Sequence, residues 1–172
     1  MKTKYLAYFA SFTVLMVALS FHSPSAQAST ITVNTTDDEL STDGDCSLRE
    51  AFVAANDNTA TDACAAGSTT EDTIEIPAGT YTLSLAGTAE DDAATGDLDL
   101  IWSGYSSAQF NLVGAGSGST TIDGNGLDRV IHVVSSSQSL SVSGMTIKGG
   151  TTDEFGGAIY VADSKSDLSL DD

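Results

Sequence analysis

From residue 73 onward the chain reads as short apolar runs separated by Gly, Ser, Thr and Asp, with no helical period long enough to build a helix. Thr73-Ile74-Glu75-Ile76 and Tyr81-Thr82-Leu83-Ser84-Leu85 alternate on either side of Pro77-Ala78-Gly79-Thr80, which predicts two strands and a corner. Residues 86–100 interrupt the pattern with an acidic, alanine-rich stretch containing Asp91-Asp92-Ala93-Ala94-Thr95-Gly96-Asp97, read as a loop leaving one face.

Beyond that loop the pattern repeats. Phe110-Asn111-Leu112-Val113-Gly114 aligns with Leu140-Ser141-Val142-Ser143-Gly144 at an offset of 30, and Leu168-Ser169-Leu170 follows 28 residues later. Between these anchors Ile122-Asp123-Gly124 corresponds to Ile147-Lys148-Gly149, and Arg129-Val130-Ile131-His132-Val133 to Gly157-Ala158-Ile159-Tyr160-Val161. One unit thus carries three short strands and three corners. A period between 20 and 50 residues marks a solenoid or array. Strands of period two separated by Gly or Asn corners are those of a stacked β-coil, and a sandwich has no reason to repeat at a fixed offset. The inward set is then Leu112, Ile122, Ile131, Val133, Val142, Ile147, Ile159 and Val161, with glycines 114, 124, 144, 149, 150, 156 and 157 at corners. The third copy is unfinished at Asp171-Asp172, which predicts truncation of a longer architecture.

Ahead of the repeats, Ile31 and Val33 alternate with Thr30, Thr32 and Asn34 as a half-buried strand. A turn at Thr42-Asp43-Gly44-Asp45 follows. Ser47 and Glu50 then stand in the Ser-x-x-Glu relation of a capping box, predicting a helix start. Leu48, Ala51, Phe52 and Ala55 make one apolar stripe of a two-turn helix that ends near Asn56-Asp57-Asn58. A helix this short needs a surface to dock on. The open end of a stack of β-coils, with its unpaired strand edge, is such a surface.

Composition places this chain outside the cytoplasm. Lys2 and Lys4, an apolar run from Tyr5 to Phe21 and Ala26-Gln27-Ala28 together read as a secretory signal peptide cleaved after residue 28. After cleavage the chain is expected not to be an integral membrane protein. The remaining chain keeps four cationic side chains, Arg49, Arg129, Lys148 and Lys165, against 24 acidic ones. That surface repels nucleic acid and anionic lipid, which bind clustered Lys and Arg. With 41% hydrophobic residues in ordered runs, the chain is globular rather than disordered. The two cysteines, Cys46 and Cys64, predict a structural disulfide in an oxidising compartment.

Chemical motifs are few. Gly114-Ala115-Gly116-Ser117-Gly118 precedes a strand, not a helix, and so reads as a corner rather than a phosphate cradle. No nucleophile elbow, zinc-protease helix or phosphate-binding loop is present. Asp123, Asn125 and Asp128 space oxygen ligands as a calcium loop does, without the downstream Glu of an EF-hand, and turn chemistry also accounts for them. Asn34-Thr35-Thr36 is a formal glycosylation sequon read as an exposed strand end, and His132 is read as a surface residue. Arg49 beside Glu50 is read as a buried arginine holding the cap by ion pairing and hydrogen bonds.

Cys46-Ser47-Leu48-Arg49-Glu50-Ala51 resembles, at all six positions, the signature of the CSLREA domain. The resemblance implies an exported bacterial protein that continues as a right-handed parallel β-helix of the pectin-lyase-like kind. It implies an all-β chain of about three to four rungs with a short N-terminal capping helix: a cap over residues 29–70 and rungs over 71–172. Gly156-Gly157-Ala158-Ile159 also looks like the repeat of polymorphic outer-membrane adhesins. The implied role is a non-catalytic, adhesin-like scaffold, secreted or displayed at the cell surface, that contacts an extracellular glycan or surface protein and needs no cofactor. Polysaccharide lyases and hydrolases of the same fold are the rival class. For them Arg129 is the one base on a coil, and Asp123 with Asp128 the one carboxylate pair.

Overall fold

The computed structural model describes residues 27–101, 109–135 and 138–172. The signal-peptide reading, apart from Gln27 and Ala28, lies outside the described residues. Among the described residues one helix and eleven strands form in the order β1 (Ser29–Thr32), α1 (Leu48–Asp57), β2 (Glu71–Ile76), β3 (Gly79–Thr82), β4 (Leu98–Leu100), β5 (Gln109–Gly114), β6 (Thr120–Asp123), β7 (Ile131–Val133), β8 (Ser139–Ser143), β9 (Thr146–Lys148), β10 (Ile159–Val161) and β11 (Asp167–Asp171).

Every pairing between these strands is parallel. They form three sheets: β1-β2-β5-β8-β11 is the first, β3-β6-β9 the second and β4-β7-β10 the third. From β2 onward the chain visits first, second and third sheet in that order and then begins again. An antiparallel sandwich is thereby ruled out.

The register explains why these residues were chosen. Ile31, Ile74, Leu112, Val142 and Leu170 are successive partners across the first sheet, Tyr81, Ile122 and Ile147 across the second, and Leu98, Ile131 and Ile159 across the third. Like side chains therefore stack on like, and each buried Ile or Leu contributes about 1.5–3 kcal/mol. All four repeat correspondences read from the sequence appear as Cα partners. Of the expected inward set, Leu112, Ile122, Ile131, Val133 and Val142 are buried, while Ile147, Ile159 and Val161 are only partly covered. They sit in β9 and β10, the last strands of their sheets.

Corners bring backbones close. Gly114 and Gly144 face each other, and a Cβ on Gly114 would collide with the Gly144 carbonyl, while Gly144 itself holds φ +62°.

The reading of residues 86–100 as a loop leaving the fold needs correction. Leu98–Leu100 is a strand in register with β7, and the stretch before it folds back, with Ala93 and Asp97 buried. Three residues are too few for periodicity to reveal.

Candidate functional site

The hexapeptide from Cys46 to Ala51 has no exposed member, and each residue has a structural task. Cys46 is bonded to Cys64, with Cα atoms 4.8 Å apart. Ser47 caps α1: its hydroxyl accepts the Glu50 N–H, while Glu50 Oε2 accepts the Ser47 N–H at 3.0 Å and Oε1 the Ser41 N–H at 3.0 Å. Leu48 and Ala51 belong to the core. The apolar stripe understates this helix, since only Val53 and Asp57 of its ten residues escape full burial.

Arg49 is fully buried, and all five of its N–H groups are used. Nε and Nη2 donate to the two Asp38 oxygens at 2.6 and 3.3 Å. Nη1 donates to the carbonyls of Ala93 and Asp97, and Nη2 to that of Gly96. Asp38 Oδ2 also accepts the N–H groups of Ser84 and Leu85. One ion pair therefore ties the cap to both ends of the segment joining β3 to β4. Asp38 carries no motif signal and was missed by the sequence reading.

Arg49 holds that segment against the outer face of the third sheet, where Asp99, His132 and Tyr160 form one row across β4, β7 and β10. His132 Nδ1 lies 3.1 Å from Asp99 Oδ1 and 3.6 Å from Asp91, and its ring stacks on Tyr160 with centroids 5.2 Å apart. The expectation of a surface histidine is corrected here: His132 points outward, but its side chain is only 12% exposed because the acidic segment covers it. Asp99 is fully buried, and its Oδ2 accepts the Ala93 N–H. Burial, reinforced by the charge of Asp97, pushes the Asp99 carboxyl up to about 8. Burial also lowers His132. Both shifts have one physical origin, the cost of holding a charge away from water. Asp97 is pushed up to about 6 by burial and then by Asp128.

Arg129 flanks this row with a cation–π contact, its guanidinium carbon 4.9 Å from the Tyr160 ring centre. It donates to Glu154 Oε2 and to the Phe155 carbonyl, each at 3.1 Å. Between Arg129 and the segment after β3 runs a groove of about 530 Å³, lined by Thr88, Asp128, Thr151, Asp153 and Glu154 among others.

The Asp123, Asn125 and Asp128 set is differently engaged. Asp123 accepts the Asn125 N–H at 3.0 Å and pairs with Lys148 at 3.2 Å, which lowers its carboxyl, and Asp128 Oδ1 accepts the Arg129 N–H. Among the described residues, three acidic groups bring ligand atoms within 4.8 Å of one another: Asp91, Asp99 and His132; Glu39, Asp43 and Asp45; Glu90, Asp97 and Asp99. The signals that could have found them were the Leu98-Asp99-Leu100 alternation and the correspondence of His132 with Tyr160.

Family models, curated proteins and solved structures give no match to this chain. Among the described residues no helix is long and apolar enough to cross a membrane. With the disulfide, that is compatible with an extracellular protein.

Proposed function

We propose that this chain is a non-catalytic scaffold, exported and displayed outside a bacterial cell: a right-handed parallel β-helix whose N-terminal end is closed by a CSLREA-type cap. Its role is adhesin-like, presenting an acidic coil surface to an extracellular glycan or surface protein. The observation that carries the reading is the burial of all six residues of Cys46–Ala51. A signature devoted to disulfide, cap, core and buried ion pair marks an architecture rather than a reaction. Three parallel sheets visited in a fixed order agree with stacked coils, and an end-covering helix protects the edge such coils leave open.

Arg129, the base a lyase of this fold would use, is held between Glu154, the Phe155 carbonyl and the Tyr160 ring. Asp123, one half of the carboxylate pair a hydrolase would use, is held by Lys148. Both engagements favour the scaffold. The deciding experiment incubates the purified chain with polygalacturonate and calcium while following unsaturated product, in parallel with a glycan array and binding to cultured cells. Saturable binding without turnover is expected. Product formation that disappears in Arg129→Ala would overturn the scaffold in favour of a polysaccharide lyase.

A further inference from the structure

We propose that Glu90, Asp97 and Asp99 form a calcium site that pins the acidic segment between β3 and β4 to the outer face of the third sheet. The three carboxylates bring one oxygen each within 4.8 Å of one another. A cluster of acids alone would be a solvated surface, but two of these three are withdrawn from it: Asp97 is 3% exposed and Asp99 fully buried, with Glu90 half-buried beside them.

The independent pointer is Asp97 Oδ2, which is buried and has no hydrogen-bond partner. A buried carboxylate oxygen without a donor is strongly disfavoured unless a cation or proton meets it. Side-chain cations do not. Arg49 uses all five of its N–H groups on Asp38 and three carbonyls. Arg129, whose charge reaches Asp97, is hydrogen-bonded to Glu154.

The other two carboxylates are already oriented. Glu90 accepts the N–H groups of Asp92, Ala94 and Thr95, and Asp99 that of Ala93. These bonds fix the carboxylates and still leave acceptor capacity, since each ionised carboxylate offers about four lone-pair sites. The donor set is all oxygen, which selects a hard cation. Calcium tolerates irregular, carboxylate-rich cages, whereas magnesium retains its waters and demands near-octahedral geometry. The neighbouring trio of Asp91, Asp99 and His132 is less suited, because His132 Nδ1 is engaged by Asp99.

The site would act opposite Arg49: the guanidinium holds the carbonyls of residues 93, 96 and 97, and the ion holds the carboxylates of residues 90, 97 and 99. Equilibrium dialysis and thermal melting of the purified chain test this, with magnesium and sodium chloride at matched ionic strength as controls. One calcium per chain is expected, with a calcium-specific rise in melting temperature. Asp97→Asn should weaken binding by roughly tenfold or more while keeping the circular dichroism spectrum. Asp43→Asn, in the separate trio of Glu39, Asp43 and Asp45, should bind as the parent does. Equal effects of magnesium and calcium, unchanged binding in Asp97→Asn, or loss of binding in Asp43→Asn would each overturn the proposal. Should Asp97→Asn fail to fold, Glu90→Gln carries the same expectation and the same refutation.

Discussion

The side-chain amide of Asn56 donates to the Asp99 carbonyl at 2.9 Å, and its oxygen accepts the Ile101 N–H at 3.0 Å. Asn56 is in the last turn of α1, and β4 is an edge strand of the third sheet. One amide thus stands in for two backbone groups of a missing neighbour strand, and the helix closes an edge that would otherwise pair with another chain. Asn56→Ala leaves the buried Asp99 carbonyl without its partner, at about 1–3 kcal/mol, and the half-buried Ile101 N–H without its own, at about 1 kcal/mol since water can reach it in part. Urea denaturation should show a loss of about 2–4 kcal/mol. Asp57→Ala, exposed on the same helix, should change stability by less than about 0.5 kcal/mol.

Arg49 predicts a non-conservative Arg-to-Lys substitution. Lysine keeps the charge but has three donors on a point ammonium, so it cannot reach both Asp38 oxygens and three carbonyls together. Arg49→Lys should destabilise by about 3–5 kcal/mol, the range for a buried pair left half-satisfied. Because the lost bonds run to residues 93, 96 and 97, amide exchange should accelerate first in the segment between β3 and β4. Uniform acceleration across the three sheets would show instead that Arg49 acts only through global stability.

The Cys46–Cys64 bridge closes a loop of sequence separation 18 around α1. In the chain-entropy account such a loop contributes about 3 kcal/mol. Paired Cys46→Ser and Cys64→Ser substitutions should lower the unfolding free energy by that amount without changing the strand signature in circular dichroism. The Gly67 N–H adds a second tie to the cap by donating to the Ala54 carbonyl, and a Cβ at Gly67 would meet the Ala55 backbone. Gly67→Ala should therefore be more harmful than its exposure alone implies.

Repetition was legible where circuits are short. Offsets of 30 between Phe110 and Leu140 and of 28 between Leu140 and Leu168 put like residues at like positions, and those pairings are present. The preceding circuit, from Ile74 to Leu112, spans 38 residues because it carries the acidic segment, and its strand β4 has only three residues. An insertion destroys a fixed offset, so Leu98 could not be aligned with Ile131. Capping box and disulfide were legible because both depend on local spacing and compartment. The buried acids were not, since Asp38, Asp97 and Asp99 become special through contacts 11 to 48 residues away along the chain.

Asp72 sets the sign of a pH dependence. It shares a row with Phe110, Leu140 and Leu168 across the first sheet, so a carboxyl occupies an inward position. It is fully buried, its Oδ1 accepts the Ser68 N–H at 2.7 Å, and its Oδ2 has no partner. Burial pushes it from 3.8 up to about 6. A carboxyl raised on folding is neutral in both states below the unfolded value, so its contribution is fully present there. As pH rises through about 6 the folded state must ionise it and that contribution is lost. Two pH units correspond to roughly 3 kcal/mol. Asp72→Asn, neutral throughout, should therefore match the parent near pH 3.5 and exceed its stability increasingly up to about pH 7. The generally acidic surface acts in the same direction in both proteins and cancels in the comparison. A stability difference that stays constant across this range would show that Asp72 is not neutralised by folding.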